Sequence, residues 1–181
     1  MKGIVFTEFL DLVEDNFGYD AVDAIIAQSN LPSKGVYTSI GTYSHKEMQE
    51  LVKRLSERTL IPVSNLYRIY GRHFFGVLAR QYGHILNAIP DAFSLFESIE
   101  VYIHVEVRKL YPDAELPRFK TKRVDINTLE MIYSSERSMS DFTIGLAESC
   151  LKFYNEKGIV EKKVLKRDGT RVQILIKKIE E

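Results

Sequence analysis

Tyr133, Ser135 and Arg137 stand at alternate positions of the sequence. If this segment is a strand, the three side chains project to the same side, because side chains alternate between the faces of a sheet. Two hydroxyl groups and a planar guanidinium fork are suited to binding carboxylates. His104 lies 29 positions before Tyr133, on a predicted helix, and its imidazole can bind iron. A haem needs both features, since propionates extend from one edge and the iron has an axial position.

Each feature is weak evidence when taken alone. A lone histidine among apolar neighbours is usually structural, and a solvent-facing strand can carry Tyr, Ser and Arg without a ligand. The combination is stronger, because the imidazole and the carboxylate-binding side chains supply what a single cofactor requires.

Composition excludes several classes of protein. Lys+Arg and Asp+Glu both number 25, so no net charge favours nucleic acid or an anionic membrane. Cys150 is the single cysteine, which excludes an internal disulfide and any site with several thiolates. No apolar run approaches the roughly 20 residues that span a bilayer, and the N-terminal residues do not resemble a signal peptide. We expect a soluble cytoplasmic protein without membrane insertion.

The first 110 residues show apolar side chains at helical spacing. Ser44 and Glu47 have the spacing of a capping box, and Ser64 is the predicted N-cap of the next helix. Asp91 is the predicted cap of a long helix that ends before Pro112. Four residues share one face of that helix: Val101, His104, Val107 and Tyr111.

After residue 110 the pattern changes. Residues 118–134 are predicted to be extended, and residues 141–156 to be helical. Two further apolar segments flank Asp168-Gly169, which is a strong hairpin signal. We therefore predict an α+β fold in one domain over residues 1–181, with a helical N-terminal lobe over about 1–60. The C-terminal lobe, over 61–181, combines an antiparallel sheet with helices.

The chain resembles the H-NOX family, the haem nitric oxide/oxygen-binding domains, nearly end to end. The resemblance implies a haem between the two lobes, with His104 as the axial ligand and Tyr133, Ser135 and Arg137 on the propionates. Pro117 matches a proline that distorts the porphyrin, although a strand-entry proline is an equally good interpretation. No Cys-x-x-Cys-His motif is present, so the expected cofactor is haem b, bound without thioether links. The matching residues are Met1-Lys2-Gly3, His104, Leu116-Pro117, Tyr133-x-Ser135-x-Arg137 and Gly145-Leu146.

The resemblance also identifies the residues on the gas-binding side of the haem. Oxygen-binding members use a tyrosine hydrogen bond to dioxygen, and Phe142 stands at that position here. Bound dioxygen gains negative charge and needs a donor, whereas NO depends much less on one. We therefore expect binding of NO and CO without a stable O₂ complex. The apolar positions expected on this side are Val5, Phe9, Phe74, Leu78, Phe142 and Leu146.

The resemblance implies a stand-alone bacterial sensor rather than an enzyme. The sequence shows no output segment, so we expect regulation in trans of a histidine kinase or a diguanylate cyclase. Two alternatives remain, a haem-free helical protein-interaction module and a haem enzyme, although the apolar distal positions argue against haem catalysis. A metal site built from His45, His73, His84 and His104 is a weaker possibility, because their spacing matches no metal motif.

Overall fold

The computed structural model describes residues 1–179, so the last two residues of the predicted 1–181 domain lie outside it. Helices form most of the N-terminal part, and an antiparallel sheet follows. The helical elements are α1 (Ile4–Phe17), α2 (Tyr19–Ala27), α3 (His45–Thr59), α4 (Val63–Leu86), α5 (Ala92–Ser98), a π-helical turn (Ile99–Ile103), α6 (His104–Leu110) and α7 (Ser140–Phe153). The strands are β1 (Arg118–Arg123), β2 (Thr128–Ser134), β3 (Gly158–Val164) and β4 (Arg171–Lys178).

The four strands form one antiparallel sheet in the order β1-β2-β4-β3. One face of this sheet is buried, because alternate residues of a strand point to the same side. On β2 these buried residues are Leu129, Met131 and Tyr133. Helices α5 and α7 contribute to the same apolar cluster. The predicted α+β fold is confirmed.

The hydrophobic core consists of two clusters. The first joins α1, α2, α3 and the part of α4 up to Val77. The second joins the C-terminal part of α4, α5, α7 and the inner face of the sheet. Helix α4 belongs to both clusters, since Tyr70 lies in the first and Phe75 and Leu86 lie in the second. This helix therefore fixes the relative position of the two cores.

The capping box predicted at Ser44 and Glu47 is only half formed. The Ser44 hydroxyl accepts a hydrogen bond from the Lys46 N–H at 3.3 Å, as a cap should. The Glu47 carboxylate does not bond back to the cap and instead accepts from Ser33 and from the Tyr37 hydroxyl, the latter at 3.1 Å. The prediction of a reciprocal capping box is therefore wrong, because the buried Glu47 carboxylate binds the loop before α3 instead.

The other predicted helix starts have mixed outcomes. Ser64 is not an N-cap, because α4 already begins at Val63 after Pro62, and no side chain caps it. Asp91 caps α5 as predicted, with its Oδ1 atom accepting from the Ser94 N–H at 2.9 Å. The hairpin predicted at Asp168-Gly169 is also confirmed by the pairing of β3 with β4.

The long helix predicted from Asp91 to Pro112 is interrupted. The π-helical turn separates α5 from α6, and the His104 N–H bonds to the Ile99 carbonyl. This turn changes which residues share a face. Val101 is 76% exposed, whereas His104 is buried, so the prediction that they lie on one face is wrong.

Candidate functional site

A cavity of about 300 Å³ lies between the two core clusters. Side chains from α1, α4, α5, α6, α7, β1 and β2 contribute to its walls. Its surface is predominantly apolar, with polar side chains at a limited number of places. Cavities of this kind are typical of cofactor sites.

His104 provides an imidazole on one wall of this cavity. It is the first residue of α6 and is 7% exposed. Its Nδ1 atom lies 3.3 Å from an oxygen of Glu100. Burial lowers the pKa of His104, which favours the neutral imidazole, and this is the form that binds metals.

Tyr133 and Ser135 provide hydroxyl groups at another part of the cavity wall. The Tyr133 oxygen accepts a hydrogen bond from the Met139 N–H at 3.0 Å, and the Tyr133 and Ser135 hydroxyls are also hydrogen-bonded to each other. Strand β2 ends at Ser134, so the prediction that Tyr133, Ser135 and Arg137 share one strand is wrong. The turn after β2 nevertheless keeps all three side chains on the cavity wall.

Arg137 provides the cationic group, and its side chain is 15% exposed. Its guanidinium donates to the Glu115 carbonyl, and its own carbonyl accepts from the Gln49 side chain at 2.9 Å. Burial lowers the pKa of Arg137, although a guanidinium stays charged in proteins. A polar cleft of about 260 Å³, lined by His45 and Glu115 among others, adjoins the guanidinium. Carboxylates bound here would therefore reach solvent.

Pro117 directly precedes β1 and also lines the cavity, so its position agrees with both interpretations drawn from the sequence. The remaining predicted residues divide into two sets. Phe9 is buried against the Tyr70 ring at 5.2 Å and does not line the cavity. The residues that do line it, which we call the distal group, are Val5, Phe74, Leu78, Phe142 and Leu146.

Tyr70 is a feature that sequence reasoning missed. Its ring lies 5.1 Å from that of Phe142, beside the distal group. Its hydroxyl donates to the Val5 carbonyl at 2.5 Å, and burial raises the pKa of Tyr70 well above its ordinary value. The hydroxyl is therefore already committed to the backbone. Several further polar residues that the sequence does not single out also line the cavity, among them Gln81, Tyr82 and Thr143.

Helices α4 and α7 cross in close contact beside the distal group. Gly71 and Gly145 lie at this crossing, and a Cβ atom built on Gly145 would stand 2.1 Å from the Arg68 carbonyl oxygen. Glu148 on α7 accepts hydrogen bonds from Arg68 and Arg72 on α4. The crossing therefore depends on the missing side chains of the two glycines.

We expect Gly145→Ala to destabilise the protein by about 1–3 kcal/mol, the usual cost of forcing extra atoms into a packed interior. Gly76→Ala on α4 is the control, because the nearest atom to its Cβ would be the Arg80 side chain at 3.8 Å. That control should stabilise by about 0.5–1 kcal/mol, since alanine favours helices over glycine. Urea denaturation measures the free energy of unfolding of both variants, and equal values for Gly145→Ala and Gly76→Ala would contradict the close crossing.

These side chains fit a haem. The imidazole has one ring nitrogen facing Glu100, which leaves the other for iron, and the hydroxyls and guanidinium match carboxylate ligands. The Nδ1 atom is also the only buried side-chain nitrogen or oxygen in residues 1–179 without a hydrogen-bond partner. A protonated Nδ1 is what iron binding through Nε2 requires. The α+β fold and this site indicate a haem-binding domain.

Comparison with known proteins places the chain within that class. Residues 2–162 match the family described as Haem-NO-binding, and the chain belongs to this family, the H-NOX domains. An H-NOX protein from K. algicida, in its Fe(II) unliganded form, is 48% identical, with a TM-score of 0.97 and coverage of 100% of this chain and 98% of that one. No curated protein matches the chain.

Two further solved structures show the same fold. The IWP-051-bound H-NOX from Shewanella woodyi, in its Fe(II)CO state, is 38% identical, with a TM-score of 0.82 and coverage of 99% and 95% of the two chains. An S. oneidensis H-NOX protein in the Fe(II)NO state is 24% identical, with a TM-score of 0.90 and coverage of 99% and 100%. H-NOX domains are haem-binding gas sensors, and the family binds NO and CO. None of the helices within residues 1–179 has the length and apolarity to cross a bilayer.

Proposed function

We propose that this protein holds haem b in the cavity and senses NO. His104 is the proposed iron ligand, and Tyr133, Ser135 and Arg137 are the proposed propionate ligands. The observation that carries this proposal is that a buried imidazole and a partly buried guanidinium line the same apolar cavity. When bound, ferrous haem would supply an iron that can bind a diatomic gas. Pro117 is the proposed contact that distorts the porphyrin.

The distal group supports selectivity for NO and CO over O₂. Its residue types, Val, Phe and Leu, carry no hydrogen-bond donor on their side chains. Tyr70 lies next to this group, but its hydroxyl already bonds to the Val5 carbonyl. Bound O₂ carries negative charge that needs a donor, and NO does not. The 38% identical protein from Shewanella woodyi, solved in an Fe(II)CO state, supports the inclusion of CO.

We expect the reduced protein to form NO and CO complexes and to show no persistent oxy spectrum in air. The reason is that the distal group offers no donor to bound O₂. Absorption spectra of the anaerobically reduced protein, recorded after each gas is added, show whether the complex with that gas forms. Phe142→Tyr is the test variant, because it adds a hydroxyl to a residue that lines the cavity.

A persistent oxy spectrum of the wild-type protein would contradict this selectivity. The donor would then be sought among the polar residues of the cavity wall that are not proposed haem ligands, beginning with the Gln81 amide and the hydroxyls of Tyr82 and Thr143. Thr143→Val removes one of these hydroxyls with little change in volume, so it would show whether Thr143 is responsible.

We further propose that the protein is not an enzyme and regulates a separate signalling enzyme, a histidine kinase or a diguanylate cyclase, in the cytoplasm. The family's sensor role supports both parts, because a sensor domain acts by changing the activity of an output protein. Cys150, the one cysteine, is free and buried, which is compatible with a reducing compartment. The test compares the partner enzyme's activity with the unliganded and the NO-bound protein, and identical activities would contradict regulation.

A further inference from the structure

The helix that carries His104 has an unusual backbone immediately before this residue. Residues Ile99–Ile103 form a π-helical turn, and the His104 N–H bonds to the carbonyl five residues earlier, at Ile99. Such turns are rare and are frequent at functional sites. The turn contains Glu100, four residues before His104, so the two side chains meet on one side of the helix.

Glu100 uses one oxygen atom for two contacts. Its Oε1 lies 3.3 Å from Nδ1 of His104 and accepts a hydrogen bond of 2.7 Å from the Phe119 N–H. Phe119 belongs to β1, and its ring lies 5.9 Å from the His104 ring. A single carboxylate therefore joins the imidazole to the edge strand of the sheet.

The Nδ1 atom of His104 needs the acceptor that Glu100 offers. This atom is buried and has no aligned hydrogen-bond partner, although Glu100 Oε1 is within ion-pair distance. An imidazole that binds a metal through Nε2 carries its hydrogen on Nδ1, and that hydrogen almost always bonds to a carboxylate, carbonyl or water. At 3.3 Å the two atoms are close enough for a hydrogen bond, and only the alignment is missing.

We propose that Glu100 is a positioning residue for the iron ligand. By accepting the Nδ1 hydrogen, its carboxylate fixes the tautomer and ring orientation of His104 and makes the imidazole a stronger donor to iron. Through the Phe119 N–H, the same carboxylate couples the position of His104 to β1. This inference rests on the proposed function, in which His104 binds the haem iron.

The test is the iron–histidine stretching band in the resonance Raman spectrum of the reduced, unliganded protein. Glu100→Gln keeps an oxygen for the Phe119 N–H but removes the charge, so the band should move to lower frequency. Haem transfer to apo-myoglobin should accelerate by about 10-fold, the lower end of the effect for such outer partners.

The matched control is Glu97→Gln on α5. Glu97 has 39% side-chain exposure against 34% for Glu100, and it pairs with Arg123 at 2.8 Å rather than with His104. The iron–histidine band and the haem transfer rate of Glu97→Gln should equal those of the wild type. Glu100→Asp, which keeps the charge and withdraws the oxygen by one methylene, serves if Glu100→Gln folds poorly, and it should shift the band in the same direction.

Two outcomes overturn the inference, and they are distinguishable. If the Glu100 variants show the same band and transfer rate as the wild type and Glu97→Gln, Glu100 does not position the ligand, and the proposed function stands. If the wild type shows no iron–histidine band, or the band persists in His104→Gly, the proposed ligand itself is wrong and the inference falls with it.

Discussion

The His104→Gly protein is expected to be purified without haem, or to hold haem only when imidazole is supplied. His104 is buried on the cavity wall, so the substitution would remove the protein ligand of the iron. It would also leave a space that free imidazole can fill. The ratio of haem to protein and the Soret absorbance, measured with and without imidazole, give the result. Both should fall to the background of the haem-free protein and recover with imidazole.

His73→Ala is the control for this variant. His73 lies on α4 beside Glu8, at 3.4 Å, and does not line the cavity. Its haem content should equal that of the wild type. An unchanged ferrous spectrum in His104→Gly without imidazole would show that another residue binds the iron.

The Arg137→Ala protein is expected to lose haem about 10- to 150-fold faster than the wild type. A hydrogen bond to a charged group contributes about 1.5–3 kcal/mol, and each 1.4 kcal/mol corresponds to a factor of ten. The guanidinium is largely buried beside the hydroxyls of Tyr133 and Ser135, so a propionate bound there has few alternative partners. Transfer of haem to apo-myoglobin measures the rate.

Arg118→Ala is the matched control, because Arg118 lines the polar cleft next to Arg137 but is exposed to solvent. It should change the transfer rate little. Arg137→Lys keeps the charge and loses the planar fork, so its rate should fall between those of the wild type and Arg137→Ala. Equal rates for the two alanine variants would count against a propionate contact at Arg137.

The sequence predicted which side chains lie together better than it predicted the backbone around them, since His104 and Arg137 line one cavity. These two residues stand out because few side chains suit iron or carboxylates, and the family resemblance relates them to each other. Their roles as ligands stay a prediction. The backbone of Ser135 and Arg137 was assigned wrongly, since a period-two pattern continues formally past Ser134 even where pairing with β4 stops. The side chains of Tyr133, Ser135 and Arg137 lie on one cavity wall because of the turn after β2, and not because they share a strand face as predicted.

The helix before His104 shows why a periodic pattern has limits. A period of 3.6 residues was applied uniformly from Asp91 to Tyr111, but the π-helical turn adds a residue and points Val101 to solvent. Contacts between distant segments were also beyond reach. Neither the bond from Tyr70 to the Val5 carbonyl nor that from Phe119 to Glu100 leaves a local signature in the sequence.

The two glycines at the α4–α7 crossing are a further case in which a contact between distant segments cannot be predicted from the sequence. Gly145 was recognised as part of the family resemblance, but the sequence gives no reason for it. The structure supplies that reason, because a side chain there would meet the Arg68 backbone at 2.1 Å. Close approaches of two backbones become visible only when the elements are placed in three dimensions.

We propose above all that this chain binds haem and that the reduced haem binds NO. The absorption spectrum of the anaerobically reduced protein, recorded before and after one equivalent of NO, tests it most directly. We predict a Soret band with one haem per chain, which moves when NO is added. The absence of a Soret band after haem is supplied during expression would contradict haem binding. A ferrous Soret band that NO leaves unchanged would contradict NO binding.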